Sequence, residues 1–176
     1  ARPLPLIVWL YFVLSLIYGL VTPPWEGYDE WHHFDFVCFI RQNQRLPTNV
    51  EKQADPSRQL EQLPLYYGLG ALVTSWIDIG DCQSPALNWH FGKAGAGINF
   101  AAHDPDHESF PYRGALLALH VTRVFSSILG GLGVLFVYRL AKLTIPDHPR
   151  WALLATALAI FQPQYIFLAS SVSNDI

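Results

Sequence analysis

The chain has 176 residues, of which 51% are hydrophobic and only 14% charged, against roughly 25% charged in an ordinary soluble domain. High hydrophobicity with a formal net charge of -3 excludes intrinsic disorder, which has the opposite signature. It also excludes a basic protein that coats nucleic acid, since no lysine and arginine surplus is present and no nucleic-acid partner is expected.

In chain order, residues 4 to 21 form an apolar run without a charge, interrupted only by Pro5, Ser15 and Gly19. Such a run is long enough to span a hydrocarbon core of about 30 Å. A cleaved signal peptide is the alternative, but the run exceeds an h-region of ~7–15 residues and no A-x-A-like site follows it. Gly27 to Arg41 reads as an amphipathic helix, with Trp31, Phe34, Val37 and Cys38 at helical spacing. Pro47 ends that element. Leu63 to Ile79, broken by Pro64, Gly68 and Gly70, is too short to span and reads as an interfacial or re-entrant helix. Gly92 to Glu108 reads as irregular loop. Two further apolar stretches follow, Gly114 to Leu140 and Trp151 to Val172, the second with Pro163 at its middle, where a kink is expected.

Charge sets the expected orientation. Arg2, Arg139, Lys142 and Arg150 face a single acid, Asp147, whereas the segment 23–112 holds twelve acidic and five basic residues. Positive flanks stay in the cytoplasm. The expected fold is therefore mainly α, a polytopic membrane protein with three transmembrane helices and a long, partly helical outer loop between helices one and two. The expected divisions are a first span over 1–22, an outer loop over 23–112, a second span over 113–141, a cytoplasmic loop over 142–150, a third span over 151–173 and a second outer loop from 174. The expected location is the inner (cytoplasmic) membrane, with the N-terminus cytoplasmic. The chain lacks methionine, so Ala1 is no initiator and the chain is expected to be part of a longer reading frame or a processed product. Cys38 and Cys82 fit neither a CxxC nor a zinc-ligand pattern, and their spacing does not tell whether they meet.

The first candidate chemistry lies at Glu26-Gly27-Tyr28-Asp29-Glu30-Trp31-His32-His33. If Asp29 opens the amphipathic helix, it shares a face with His32 or His33. That face suits a divalent cation bound through carboxylate and imidazole, or a carboxylate acting as general base on a hydroxyl group. The same Asp29 and Glu30 also read as carboxylates complementing a helix N-terminus, and the histidines as packing residues. Arg123 lies inside the second span, where a charge needs a reason. It suits bidentate contact with a phosphate, or, with Arg113, snorkelling toward the outer interface. Asp175 by itself is a polar residue closing the third span.

The order of these features resembles the N-terminal part of GT-C membrane glycosyltransferases, in particular glycosyltransferase family 39 and protein O-mannosyltransferase-like proteins. The resemblance rests on the Glu-Gly-Tyr-Asp-Glu element after the first helix, then Arg45-Leu46-Pro47, then Leu63-Pro64-Leu65-Tyr66-Tyr67. After these come the arginine-bearing helix and Phe161-Gln162-Pro163 leading to Ser173-Asn174-Asp175. It implies transfer of a sugar from a polyprenyl-phosphate donor to an acceptor hydroxyl on the outer face of the membrane. It further implies Asp29 as the residue activating that hydroxyl, Glu30 as its partner, and Arg123 and Arg113 as lipid-phosphate contacts. Asp175, with His33 and Glu26, is the expected holder of a divalent metal ion (Mg or Mn) or of the acceptor. Relatives carry many more spans, so the resemblance covers their first helices only, and this stretch is not expected to act alone. The alternative is a non-catalytic transmembrane accessory subunit, whose partners would be other membrane protein subunits as well as membrane lipid.

Overall fold

The computed structural model describes residues 3–54, 58–82, 85–93 and 98–175. Arg2, Asp55 and Ile176, on which parts of the charge pattern and the last division rest, lie outside the described residues.

The first apolar run folds as α1, Pro3–Val21. Pro3 and Pro5 sit in its first turn, where backbone N–H groups lack helical partners anyway. At about 1.5 Å per residue its 19 residues extend about 28 Å. Its buried face is Tyr11, Ser15 and Gly19, while Trp9, Leu16, Ile17, Leu20 and Val21 are exposed. Polar and small residues thus make the contact and large apolar ones face outward, the arrangement of helices that associate in lipid.

The partner on that face is α6, Gly114–Thr144, 31 residues and about 46 Å long. The Tyr11 hydroxyl donates to the Ser127 carbonyl at 3.0 Å and Ser15 Oγ meets Ser127 Oγ at 2.7 Å. A Cβ at Gly130 would collide with Tyr11 Oη and fall 2.8 Å from the Ala169 Cβ, so glycine is what lets the helices close. The chain then turns into α7, Pro149–Ile160, and α8, Pro163–Ala169. These two meet at a bend of 66°. In place of a kinked single helix over 151–173 there is a break, because Pro163 has no N–H and forces Gln162 into extended backbone, φ -66 and ψ 129. The described chain is mainly helical, with no strand among the described residues beyond an isolated bridge between Leu87 and Ala101. Among the described residues two helices are long and apolar enough to cross a membrane, giving up to three spans if the bent pair counts as one.

Between α1 and α6, four shorter helices form among the described residues: α2, Glu30–Asn43; α3, Asn49–Ala54; α4, Pro64–Val73; and α5, Pro105–Glu108. Their own core gathers Phe34, Phe36, Val37, Phe39, Tyr67 and, from α6, Leu119. Three devices lock it to α6 and to itself. Arg41 of α2 donates to the carbonyls of Thr74 and Ile77, satisfying the C-terminal end of α4. Cys38 and Cys82 are joined as a disulfide. Next to it, the Asp81 carboxylate accepts the Ala115 N–H at 2.9 Å at the start of α6, a carboxylate on the positive end of a helix. Gly114 there has φ +54, and any Cβ would collide with the Asp81 carboxylate; glycine is required on both counts.

Candidate functional site

The C-terminal end of α1, the first turn of α2 and the segment after α8 converge on the N-terminal third of α6. Their meeting point is Arg123, 2% exposed, against Glu30, fully buried. The guanidinium grips the carboxylate at two points, Nε to Oε1 at 2.8 Å and Nη2 to Oε2 at 2.5 Å. Its remaining N–H groups donate to the carbonyls of Gly19 and Thr22, each at 2.8 Å, and of Pro23 at 3.0 Å. Guanidinium has five N–H donors, and all five are used. The expected phosphate contact at Arg123 therefore gives way to a structural role, in which the side chain closes the open carbonyls at the end of α1 and neutralises Glu30. Glu30 is equally committed, since Oε1 also accepts the Val172 N–H at 3.0 Å. Gly27 makes the approach possible, because a Cβ there would lie 3.0 Å from both Glu30 and Ser171.

Asp29, one residue earlier, differs completely. It holds the N-cap position of α2 with left-handed backbone, φ 50, and its side chain makes no capping bond. Among the described residues its half-buried carboxylate has neither hydrogen bond nor ion pair. The carboxylate of Asp175, which is exposed, has none either; only the Asp175 backbone N–H is engaged, donating to Ser173 Oγ at 3.1 Å. Both carboxylates act electrostatically on the same ring, His33, opposing the burial that pulls its pKa down. His33 Nδ1 is 2.7 Å from the Tyr67 hydroxyl. Burial, with Asp175 nearby, raises the Tyr67 pKa, so the phenol stays protonated beside a neutral imidazole. Tyr66 anchors the same corner: its hydroxyl accepts the Ser173 N–H at 3.1 Å and meets Ser126 Oγ at 2.6 Å. Two unsatisfied carboxylates distant in sequence thus act on one neutral histidine.

Glu26 is drawn elsewhere. It accepts the N–H groups of Phe100 and Ala101 at 3.0 and 2.8 Å, and lies 3.1 Å from His103 Nε2. His103 Nδ1 in turn is 2.7 Å from Glu108. Glu26 is therefore not grouped with His33 and Asp175, and no three His, Cys, Asp or Glu side chains converge as a metal-binding group among the described residues. What Glu26 does is fasten the 98–108 segment over Asp29. Trp25, Glu26, Gly27, Asp29, Trp31 and Phe100 line a hollow of about 130 Å3. Trp25 also lines a larger cavity of about 630 Å3, with Asp106, Glu108, Phe110 and Arg113 among its walls. The side chain of Arg113, exposed at the N-cap of α6, has no hydrogen bond or ion pair among the described residues. Of the two arginines singled out from sequence, it is the one with donors to offer.

Two members of this region, Tyr67 and His103, are not singled out by the sequence. Tyr67 stands in the Pro-Leu-Tyr-Tyr segment but gives no sign there of a histidine partner, and His103 falls in a stretch that reads as loop. Comparison of the chain with protein-family models, with curated proteins and with solved structures finds no match.

Proposed function

We propose that this chain is the N-terminal region of an integral-membrane glycosyltransferase that moves a sugar from a polyprenyl-phosphate donor to an acceptor hydroxyl at the outer face of the membrane. The observation that carries the reading is the pair of unsatisfied carboxylates, Asp29 and Asp175, near enough to His33 for both to act on its ring electrostatically. A hydroxyl with a pKa far above 7 needs a positioned base; Asp29 borders an aromatic-lined hollow, and in this reading it receives the proton. The acceptor oxygen then bonds to the anomeric carbon as the bond from that carbon to the lipid phosphate breaks. Negative charge develops on the departing phosphate, where Arg113 supplies unpaired guanidinium donors beside the larger cavity. Asp175 orients the acceptor through His33. Glu26 does not fit a metal site with His33 and Asp175, and no step is routed through a cation.

Three features support the orientation. The 23–112 segment carries the acidic surplus. Its disulfide, Cys38–Cys82, belongs to an oxidising compartment. Arg139, Lys142 and Arg150 lie at the opposite end, as cytoplasmic flanks do. The bent pair α7–α8 serves as the third crossing.

The test is Asp29→Asn in the intact protein, assayed in vesicles with a polyprenyl-phosphate-linked sugar and a hydroxyl acceptor. Loss of a general base predicts a fall of roughly 10²–10⁴-fold in turnover. Unaltered turnover removes Asp29 as the base. An intact protein that transfers no sugar and co-purifies at fixed stoichiometry with a larger assembly replaces this reading with the accessory-subunit one.

A further inference from the structure

At the far end of α6 from the Asp29 hollow, Arg139, Lys142, Leu143 and Pro146 line a groove of about 440 Å3. The helix geometry fixes its depth. Arg123 contacts Gly19 and Thr22 at the end of α1, and Tyr11 contacts Ser127 one stretch further along, so the two helices run antiparallel in register. Counting about 1.5 Å per residue back from Gly19 to Pro3 and forward along α6 brings Pro3 level with Arg139. The groove therefore lies where α1 begins, at the edge of the apolar bundle. Arg139 and Lys142 are three residues apart on one flank of α6, both exposed, and neither has an acidic partner among the described residues. Leu143 and Pro146 give the groove an apolar floor.

We propose that this groove binds an anionic phospholipid, its headgroup phosphate held between Arg139 and Lys142 and an acyl chain laid along Leu143. Guanidinium and ammonium together offer a planar two-point donor and a mobile point charge to one phosphodiester. Basic grooves beside a spanning helix at the cytoplasmic leaflet are where such headgroups bind. Lipid binding here rests on α1 and α6 crossing a bilayer and is independent of sugar transfer.

The intact protein in detergent is titrated with phosphatidylglycerol, phosphatidylcholine or inorganic phosphate and read by native mass spectrometry. Phosphatidylglycerol is expected to bind in preference to phosphatidylcholine. Arg139→Gln or Lys142→Gln weakens it about five-fold each and the double variant about 30-fold, with phosphatidylcholine binding unchanged. Inorganic phosphate at equal concentration does not compete. Equal phosphatidylglycerol affinity in the variants overturns the proposal, as does equal binding of phosphatidylcholine. Effective competition by inorganic phosphate shows a free-anion site and overturns it too. If the double variant fails to fold, the two single variants carry the comparison.

Discussion

Glu30 and Arg123, 93 residues apart in sequence, form a buried two-point ion pair from which the ends of three helical segments hang. Arg123 takes the Gly19 carbonyl of α1 and those of Thr22 and Pro23 just beyond it, and Glu30 takes the Val172 N–H beyond α8. The pair is a joint, and the unsatisfied Asp29 is the residue next to it in sequence.

Breaking one side of this joint leaves the other charge buried and unpaired, which costs about 3–5 kcal/mol, against the ~1 kcal/mol or less of an exposed pair. Glu30→Gln and Arg123→Lys are both expected to lower the thermal unfolding midpoint of the detergent-solubilised protein steeply. Lysine fails because one ammonium cannot reach a carboxylate at two points and three carbonyls as well. A loss in either variant no larger than that of an Arg45→Gln control, at the exposed Arg45–Glu51 pair, would show that the joint carries little.

The Cys38–Cys82 bridge closes a loop of 44 residues. Loop-closure entropy for that length amounts to roughly 4 kcal/mol in the denatured chain. Cys38→Ser is expected to destabilise the α2–α4 unit by about 2–4 kcal/mol. Unfolding by limited proteolysis with and without reductant measures it: reductant should sensitise the wild type to cleavage within 23–112 and leave the variant unchanged. Equal sensitivity of both under oxidising conditions contradicts the expectation.

The long elements are legible in sequence because their information is local. An apolar run of membrane-spanning length, or Phe34, Val37 and Cys38 at helical spacing, states its structure within one window. Arg123 is legible as a charge that needs a partner, but not which partner: Glu30 sits beside Asp29 in sequence, and the two acids look alike there. Only the fold, by pointing one carboxylate inward and leaving the other unsatisfied, separates a strut from a candidate base. That Glu26 is held apart from His33 and Asp175 is not legible for the same reason, since its partners Phe100, Ala101 and His103 come from a segment without periodicity. Pro163 predicts a bend but not its size, which depends on what α8 packs against.

His33 supplies a pH signature. Burial lowers its pKa from 6.5, with Asp175 and Asp29 opposing. In the window between the folded value and 6.5 the unfolded chain binds more protons than the folded one, so stability rises with pH there. The contribution is complete above about 6.5 and is lost as pH falls through the folded pKa. His33→Asn, which keeps a hydrogen-bonding group for Tyr67, should flatten the change in unfolding midpoint between mildly acidic and neutral pH. If the variant keeps the full wild-type slope, the acid sensitivity comes from another group.

Asp29 and Glu30 offer the sharpest contrast, because neighbouring acids are expected to respond oppositely to the same chemical change. Asp29 makes no side-chain hydrogen bond or ion pair among the described residues, so Asp29→Asn should leave stability within about 0.5 kcal/mol of wild type, as for a surface site. Asp175→Asn should do the same. Both are expected to depress sugar transfer, Asp29→Asn by the ~10²–10⁴-fold typical of a lost general base. Asp175→Asn, acting through His33, should lower it less and should shift the pH profile of the remaining activity. Glu30→Gln should lose activity only in proportion to the folded fraction. Measuring unfolding midpoint and turnover on the same three preparations tests this. An Asp29→Asn protein that melts early and regains full specific activity per folded molecule would make Asp29 a second strut and leave Asp175 as the base.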